Sequence, residues 1–361
     1  MKRGVRLVGV SPGEAADPVG AEPGSRFRGR RARASIAAWL EGHHRRVTPT
    51  GMFAAVLVGT ALAAGAFAGV GWVAGFGAMS QLASAADWVW LPVAIGCVAV
   101  SHLGYTLAYR EVLRSRGGPS VSIGRLGVSV LAGFGMLTPR AGFTLDQGLW
   151  REHGLSERAA RGRVLTLGML EYGLLAPAAF ICAVVLFVEN FPARGGVVLS
   201  WLLGVPVGAL IVGLLFVVRR WLPVTGWLWV AVRRSLDAVA AMVRVVVTSR
   251  DGLLAAGGMA VYWAADIAAL GACLAVVQHP VPVEVLVVGY ATGYALTRRS
   301  LPFAGAGAAE ALMPFAMHWM TVPLAAAVIA VFAYRVCNVW LPLAPAAWCL
   351  RRLRVSAPLT G

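Results

Sequence analysis

Residues 301–315 read LPFAGAGAAEALMPF. The stretch joins two strongly apolar runs and carries Pro302, Gly305, Gly307, Pro314 and one carboxylate, Glu310. Glycine and proline are the poorest residues for a helix interior, and a carboxylate in hydrocarbon is costly. What surrounds this broken, charged piece therefore decides the fold.

The surroundings are apolar along most of the chain. Of 361 residues, 58% are hydrophobic and 13% charged, and the mean hydropathy is +0.73. Apolar runs of about 20 residues are membrane-helix candidates. They fall at 51–76, 88–109, 164–188, 196–218, 253–277 and 322–350. Two further pieces, 126–139 and 283–318, are short or interrupted. The first would make a helix of about 21 Å, against a hydrocarbon core of roughly 30 Å. The expectation is an all-α polytopic membrane protein with about six full transmembrane helices and two re-entrant hairpins, about eight apolar segments in all.

Charge sets the expected orientation. Ten basic residues precede the first run, which places the N-terminus in the cytoplasm. The loop 77–87 has no Lys or Arg and is expected outside. Residues 110–125 carry Arg110, Arg114, Arg116 and Arg125, and 140–163 carry Arg140, Arg151, Arg158, Arg161 and Arg163. Both flanks of 126–139 are thus cytoplasmic, as a re-entrant segment requires. The C-terminal Arg351, Arg352 and Arg354 place that end inside, which leaves 283–318 beginning and ending outside with Arg298 and Arg299 near its tip. A rival arrangement makes 283–299 and 301–320 two full crossings. In the re-entrant arrangement the halves are inverted repeats, and LTPRAG (137–142) resembles LPFAG (301–305). Inverted repeats with broken segments are characteristic of transporters. Residues 233–244, with Arg233, Asp237 and Arg244 on one stripe, suit an interfacial helix or a bent extension of a neighbouring span.

Three regions follow: a disordered basic cytoplasmic arm (1–50), a transmembrane domain (51–350) and a short cytoplasmic tail (351–361). No cleavable leader is expected in the arm, which includes RFRGRRARAS (26–35). The net charge of +16 resides mainly in cytoplasmic segments, so nucleic acid is not an expected partner. Cys97, Cys182, Cys273, Cys337 and Cys349 all fall in apolar runs without CxxC spacing, and read as small packing residues. His102 and His318 lack a second ligand at metal spacing. With no phosphate loop, metal motif or activated nucleophile, an enzyme is not expected, and neither is a cofactor.

The ionisable residues inside or beside the apolar runs are the site candidates. Arg335 lies mid-span, where an arginine costs roughly 2.5–3.5 kcal/mol on the insertion scale. It requires a carboxylate or a hydrated cavity, and Glu310, Asp266 and Glu171 are the candidate partners. An arginine fork suits a phosphate; a buried ion pair that fixes packing is the other reading. Pro139, Gly142, Pro302, Gly305 and Gly307 would let the backbone turn within the membrane and expose amides.

LPFAGAGAAEALMPF followed by TVPLAAAVIAVFAYRVCNVWLPL (321–343) resembles the membrane domain of the lysylphosphatidylglycerol synthase/flippase family. The matching residues are Pro302, Gly305, Gly307, Glu310, Pro323, Tyr334, Arg335, Trp340, Leu341 and Pro342. In the first half, LTPRAG and HGLSERAARGRVLTLGMLEYGLL (153–175) match more loosely: Arg140 stands where the family usually has Gly, and Tyr172 where it has Arg. The resemblance covers most of 50–350. It implies a lipid flippase of the cell inner membrane that moves a phospholipid or lipid-linked glycan between leaflets, with a homo-oligomer compatible. Arg335, Glu310, Arg298, Arg299, Glu171, Asp266 and Tyr334 would line its substrate path. The soluble aminoacyl-transfer domain of bifunctional members is not expected here. Two readings compete: a proton-coupled secondary transporter of a small solute, with Glu310 or Asp266 carrying the proton, and a non-transporting membrane scaffold for a cell-envelope enzyme.

Overall fold

The computed structural model describes residues 49–134, 150–151, 155–192, 194–221, 226–294 and 303–356. Regular structure there is helical: α1 Pro49–Ala74, α2 Phe76–Ser84, α3 Trp90–Arg114, α4 Ile123–Phe134, α5 Glu157–Val188, α6 Leu199–Val218, α7 Trp227–Thr248, α8 Arg250–Val276, α9 Val283–Tyr294, α10 Ala308–Trp319, α11 Leu324–Arg335 and α12 Leu343–Ser356. Among the described residues, six stretches are long and apolar enough to cross a membrane, and they coincide with the six apolar runs of the sequence. Their outward faces carry large apolar side chains, among them Leu62, Ile181, Leu210, Leu214 and Leu253. No residue of α6 is buried. In water such a surface would drive aggregation; in a bilayer it is the lipid-facing surface.

Several helices begin or end outside their apolar runs. α5 starts seven residues before Val164 because Ser156 caps it, its Oγ accepting the Ala159 N–H at 3.3 Å. Arg161 then pairs with Glu157 one turn earlier, at 2.8 Å. The stretch expected as the loop 77–87 is largely helical, as α2, which buries Met79 and packs on α11. α7 is a separate helix rather than a bent extension of its neighbour: Ser249 is extended and caps α8 by accepting the Gly252 N–H at 3.0 Å. α7 packs on α5 and α8. The run 322–350 is not one uniform helix. A π turn, Val336–Trp340, follows α11 and closes with Leu341 N–H to the Val336 carbonyl at 2.8 Å. Pro342 cannot donate the next helical bond, and α12 begins after it. The expected tail from 351 is helical through Ser356.

The core pair is α3 and α8, the most extensively packed helices. They run antiparallel: Asp87 N–H donates to the Val276 carbonyl and Gln278 Nε2 to the Ala85 carbonyl, both at 2.8 Å. Their crossing is backbone on backbone. A Cβ on Gly104 would lie 2.6 Å from Tyr262 N, and one on Gly258 would lie 2.7 Å from Ala108 N. Small residues at the contact let the backbones approach, the usual solution where lipid offers no hydrophobic drive between helices. The arginine-free connections 77–87 and 278–284 therefore share one end of α3 and α8. At the other end, the Arg163 guanidinium donates to the carbonyls of Leu113 and Ser115, joining two arginine-bearing segments.

α9, before the opening stretch, and α10, which begins within it, form an antiparallel pair. A Cβ on Gly289 would strike Met317 Sδ at 2.6 Å and one on Gly293 would strike Met313 Cα at 2.5 Å, so the methionines seat against bare backbone. α10, bounded by Gly307 and Met320, has 12 residues, about 18 Å, well short of a roughly 30 Å core; α9 is described as far as Tyr294. α9 packs on α5 and α10 on α11.

Candidate functional site

Four ionisable residues expected at membrane depth are buried in the bundle: Asp266 is 0% exposed, Glu171 and Arg335 1%, and Glu310 3%. They come from four different helices: Glu171 from α5, Asp266 from α8, Glu310 from α10 and Arg335 from the end of α11. Arg335 lies eleven residues from the start and fourteen from the end of the apolar stretch Leu324–Cys349, too deep to reach either surface easily.

Arg335 and Glu310 pair directly, with Nε to Oε1 at 2.7 Å. The other carboxylate oxygen, Oε2, accepts the Gly307 N–H at 2.7 Å, fixing the first turn of α10. Gly307 has φ +83° and Gly305 φ +70°, a left-handed conformation that residues with a Cβ resist. The glycines thus shape the turn that aims Glu310 at Arg335. Pro314, four residues on, supplies no N–H to the Glu310 carbonyl.

Asp266 sits in a second, neutral hydrogen-bond network. Tyr290 donates to Oδ2, Tyr334 donates to Oδ2 at 2.8 Å, and Asn338 Nδ2 donates to Oδ1 at 2.9 Å. Asn338 also donates to the Tyr334 hydroxyl oxygen. Tyr334 and Asn338 stand four apart across the start of the π turn, a feature common where helices bear function. The backbone of this one segment thus presents Arg335 to Glu310 and its two neighbours to Asp266.

An aromatic wall completes the site. Tyr290 stacks on Tyr294 at 4.9 Å, and Trp263 meets these rings at 5.9 and 6.1 Å respectively. Trp263 Nε1 donates to the Glu171 backbone carbonyl at 2.8 Å, tying α5 to this wall. With every carboxylate ionised, Glu171, Asp266 and Glu310 against Arg335 leave two negative charges.

Arg335 with Glu310, and Asp266 with Tyr334, are thus in contact, while Glu171 is joined to the aromatic wall through its backbone carbonyl, by Trp263. Arg298, Arg299, Pro139, Gly142 and Pro302 lie outside the described residues. The sequence reading missed Tyr290, Tyr294, Asn338 and Trp263. Asn338 was findable as a polar residue one turn beyond Tyr334 in an apolar run, and Tyr290 and Tyr294 by their i, i+4 spacing. It also missed Glu111, which is 1% exposed at the end of α3 and faces Arg110 at 3.5 Å and Arg114 at 3.4 Å. His102 and His318 bond locally to backbone carbonyls, of Val98 at 2.8 Å and Val322 at 3.0 Å. Cys273, Cys337 and Cys349 are buried, and all five cysteines are free.

Compared with models of known protein families and with curated protein sequences, the chain matches none.

Proposed function

We propose that this protein is an integral membrane translocase that moves an anionic, phosphate-bearing lipid or lipid-linked glycan between leaflets, with Arg335 at the substrate path. The observation that carries the reading is the Arg335–Glu310 pair, buried mid-span, with Glu310 on α10, a helix of 12 residues and too short to cross a bilayer. Such a short helix suits one arm of a re-entrant hairpin, which is tolerated where protein surrounds it. The antiparallel α3–α8 crossing, with each glycine facing the other's backbone, suits inverted repeats, whose equivalent helices run in opposite directions.

The charge balance makes a demand on this reading. With every carboxylate ionised, the described groups would sum to two negative charges, which would repel phosphate. Arg298 and Arg299, in the connection between α9 and α10, are the cations that would offset them, so both belong to the proposed machinery.

The test is leaflet exchange in liposomes. Purified protein is reconstituted with fluorescent phosphatidylglycerol, and dithionite quenches the outer leaflet. Quenching beyond the outer-leaflet half, lost in Arg298→Ala/Arg299→Ala, is the result expected. Quenching that stops at half with well-folded protein and every anionic lipid tried would defeat the proposal.

Asp266 favours a second reading. A buried carboxylate held by Tyr290, Tyr334 and Asn338 can take up a proton without losing a counter-charge, which suits a proton-coupled solute transporter. That reading requires activity that collapses with the proton gradient and is indifferent to lipid headgroup.

A further inference from the structure

A second cavity lies at the arginine-bearing end of the bundle, where the start of α5 faces the middle of α7. Its volume is about 770 Å³, and it shares no lining residue with the Arg335 site. That is within the roughly 300–1,000 Å³ usual for small-molecule sites. Four arginines line it, Arg158, Arg161, Arg163 and Arg234, with two carboxylates, Glu157 and Asp237.

The partners of these groups decide what the cavity can hold. Glu157 is engaged by Arg161 at 2.8 Å, and Asp237 by Arg219. Arg163 is held by the end of α3 through the Leu113 and Ser115 carbonyls, an arrangement that satisfies carbonyls left open at a helix end. Among the described residues, no carboxylate lies within ion-pair distance of Arg158 or Arg234. Four arginines against two carboxylates leave the lining two net positive charges, and Arg158 and Arg234 are exposed residues on different helices. Leu165, Ala238 and Ala241 give the lining an apolar part, where α5 enters its apolar run. Arginines beside apolar lining suit a phosphate ester whose charged group meets the guanidinium forks and whose carbon skeleton meets the apolar residues.

We propose that this cavity binds a phosphate ester, with Arg158 and Arg234 as the gripping residues. The proposal does not rest on the translocase reading, because binding here is measured without transport. The phosphate can come from a lipid headgroup or from a soluble molecule, and the experiment separates the two.

Detergent-purified full chain is titrated calorimetrically with dioctanoyl-phosphatidylglycerol, with dioctanoylglycerol, which lacks the phosphate, and with inorganic phosphate. The wild type is expected to bind the phospholipid with at least about tenfold preference over dioctanoylglycerol, a difference of about 1.4 kcal/mol. Arg158→Ala/Arg234→Ala is expected to lose one phospholipid per chain, while Arg250→Ala, at an exposed arginine outside the cavity, keeps it. Binding of inorganic phosphate as tight as that of the phospholipid, abolished by the same double substitution, would support the site with a soluble ligand. Equal binding of phospholipid and dioctanoylglycerol by the wild type would overturn the proposal without any variant. So would unchanged phospholipid stoichiometry and affinity in a double variant that unfolds at the wild-type temperature.

Discussion

Replacing Glu310 by Gln tests the buried ion pair with almost no change in shape. Arg335 Nε and the Gly307 N–H each donate to a different oxygen of Glu310, both at 2.7 Å. A glutamine has one oxygen and one NH₂ group, so it can accept only one of these bonds and turns a donor toward the other. At 2.7 Å and an effective dielectric of about 20, the lost attraction is roughly 6 kcal/mol. Part returns through the remaining amide hydrogen bond, about 1 kcal/mol. The net cost expected is about 3–5 kcal/mol, the range for leaving one partner of a buried pair charged and alone. At about 2 °C per kcal/mol for a chain of this size, the midpoint of thermal unfolding should fall by roughly 6–10 °C. Intrinsic fluorescence of the 13 tryptophans reports it in detergent. Arg335→Met/Glu310→Leu removes both charges and should recover to within about 2 kcal/mol of wild type. A Glu310→Gln midpoint within about 1 °C of wild type would refute the reasoning, because Arg335 would then find compensation elsewhere.

Three further substitutions probe the surroundings. Gly104→Ala puts a methyl group 2.6 Å from Tyr262 N and 2.8 Å from the Gly258 carbonyl oxygen; forcing α3 and α8 apart should cost about 1–3 kcal/mol, read as a lower unfolding midpoint. Asp266→Asn turns an NH₂ toward donors on one side of a network fed by Tyr290, Tyr334 and Asn338, and a loss of about 1–3 kcal/mol is expected by the same measurement. Gly307→Ala must hold φ +83° with its Cβ 3.1 Å from Leu62 Cβ, and about 1–2 kcal/mol of destabilisation follows from the left-handed backbone. An unfolding midpoint equal to wild type would show that this turn readjusts freely.

The spanning helices were legible because a bilayer demands about 20 apolar residues, a requirement visible without knowledge of tertiary contacts. Their ends were not, because caps and charged pairs such as Ser156 and Glu157–Arg161 extend a helix past its apolar window. α2 was hidden by its nine residues, too few to show a period. Arg335, Glu310 and Asp266 stood out as charges in hydrocarbon, and burial followed. Which carboxylate would hold Arg335 was not legible, since that depends on how α8, α10 and α11 come together. Tyr290 and Asn338 carry no charge, so nothing in composition separates them from packing residues until their bonds to Asp266 are seen. Glu111 was passed over because it lies among arginines that read as a surface loop.

The most direct test of the Arg335 site measures transport in a chain whose charges are gone but whose fold is kept. Arg335→Met/Glu310→Leu, shown to unfold within a few degrees of wild type, is reconstituted beside the wild type, and leaflet exchange of fluorescent phosphatidylglycerol is followed by dithionite quenching. Exchange by the wild type, with quenching limited to the outer leaflet in the variant, is the result expected. Exchange at the wild-type rate by the folded variant would contradict a substrate path through Arg335 and reduce the pair to packing.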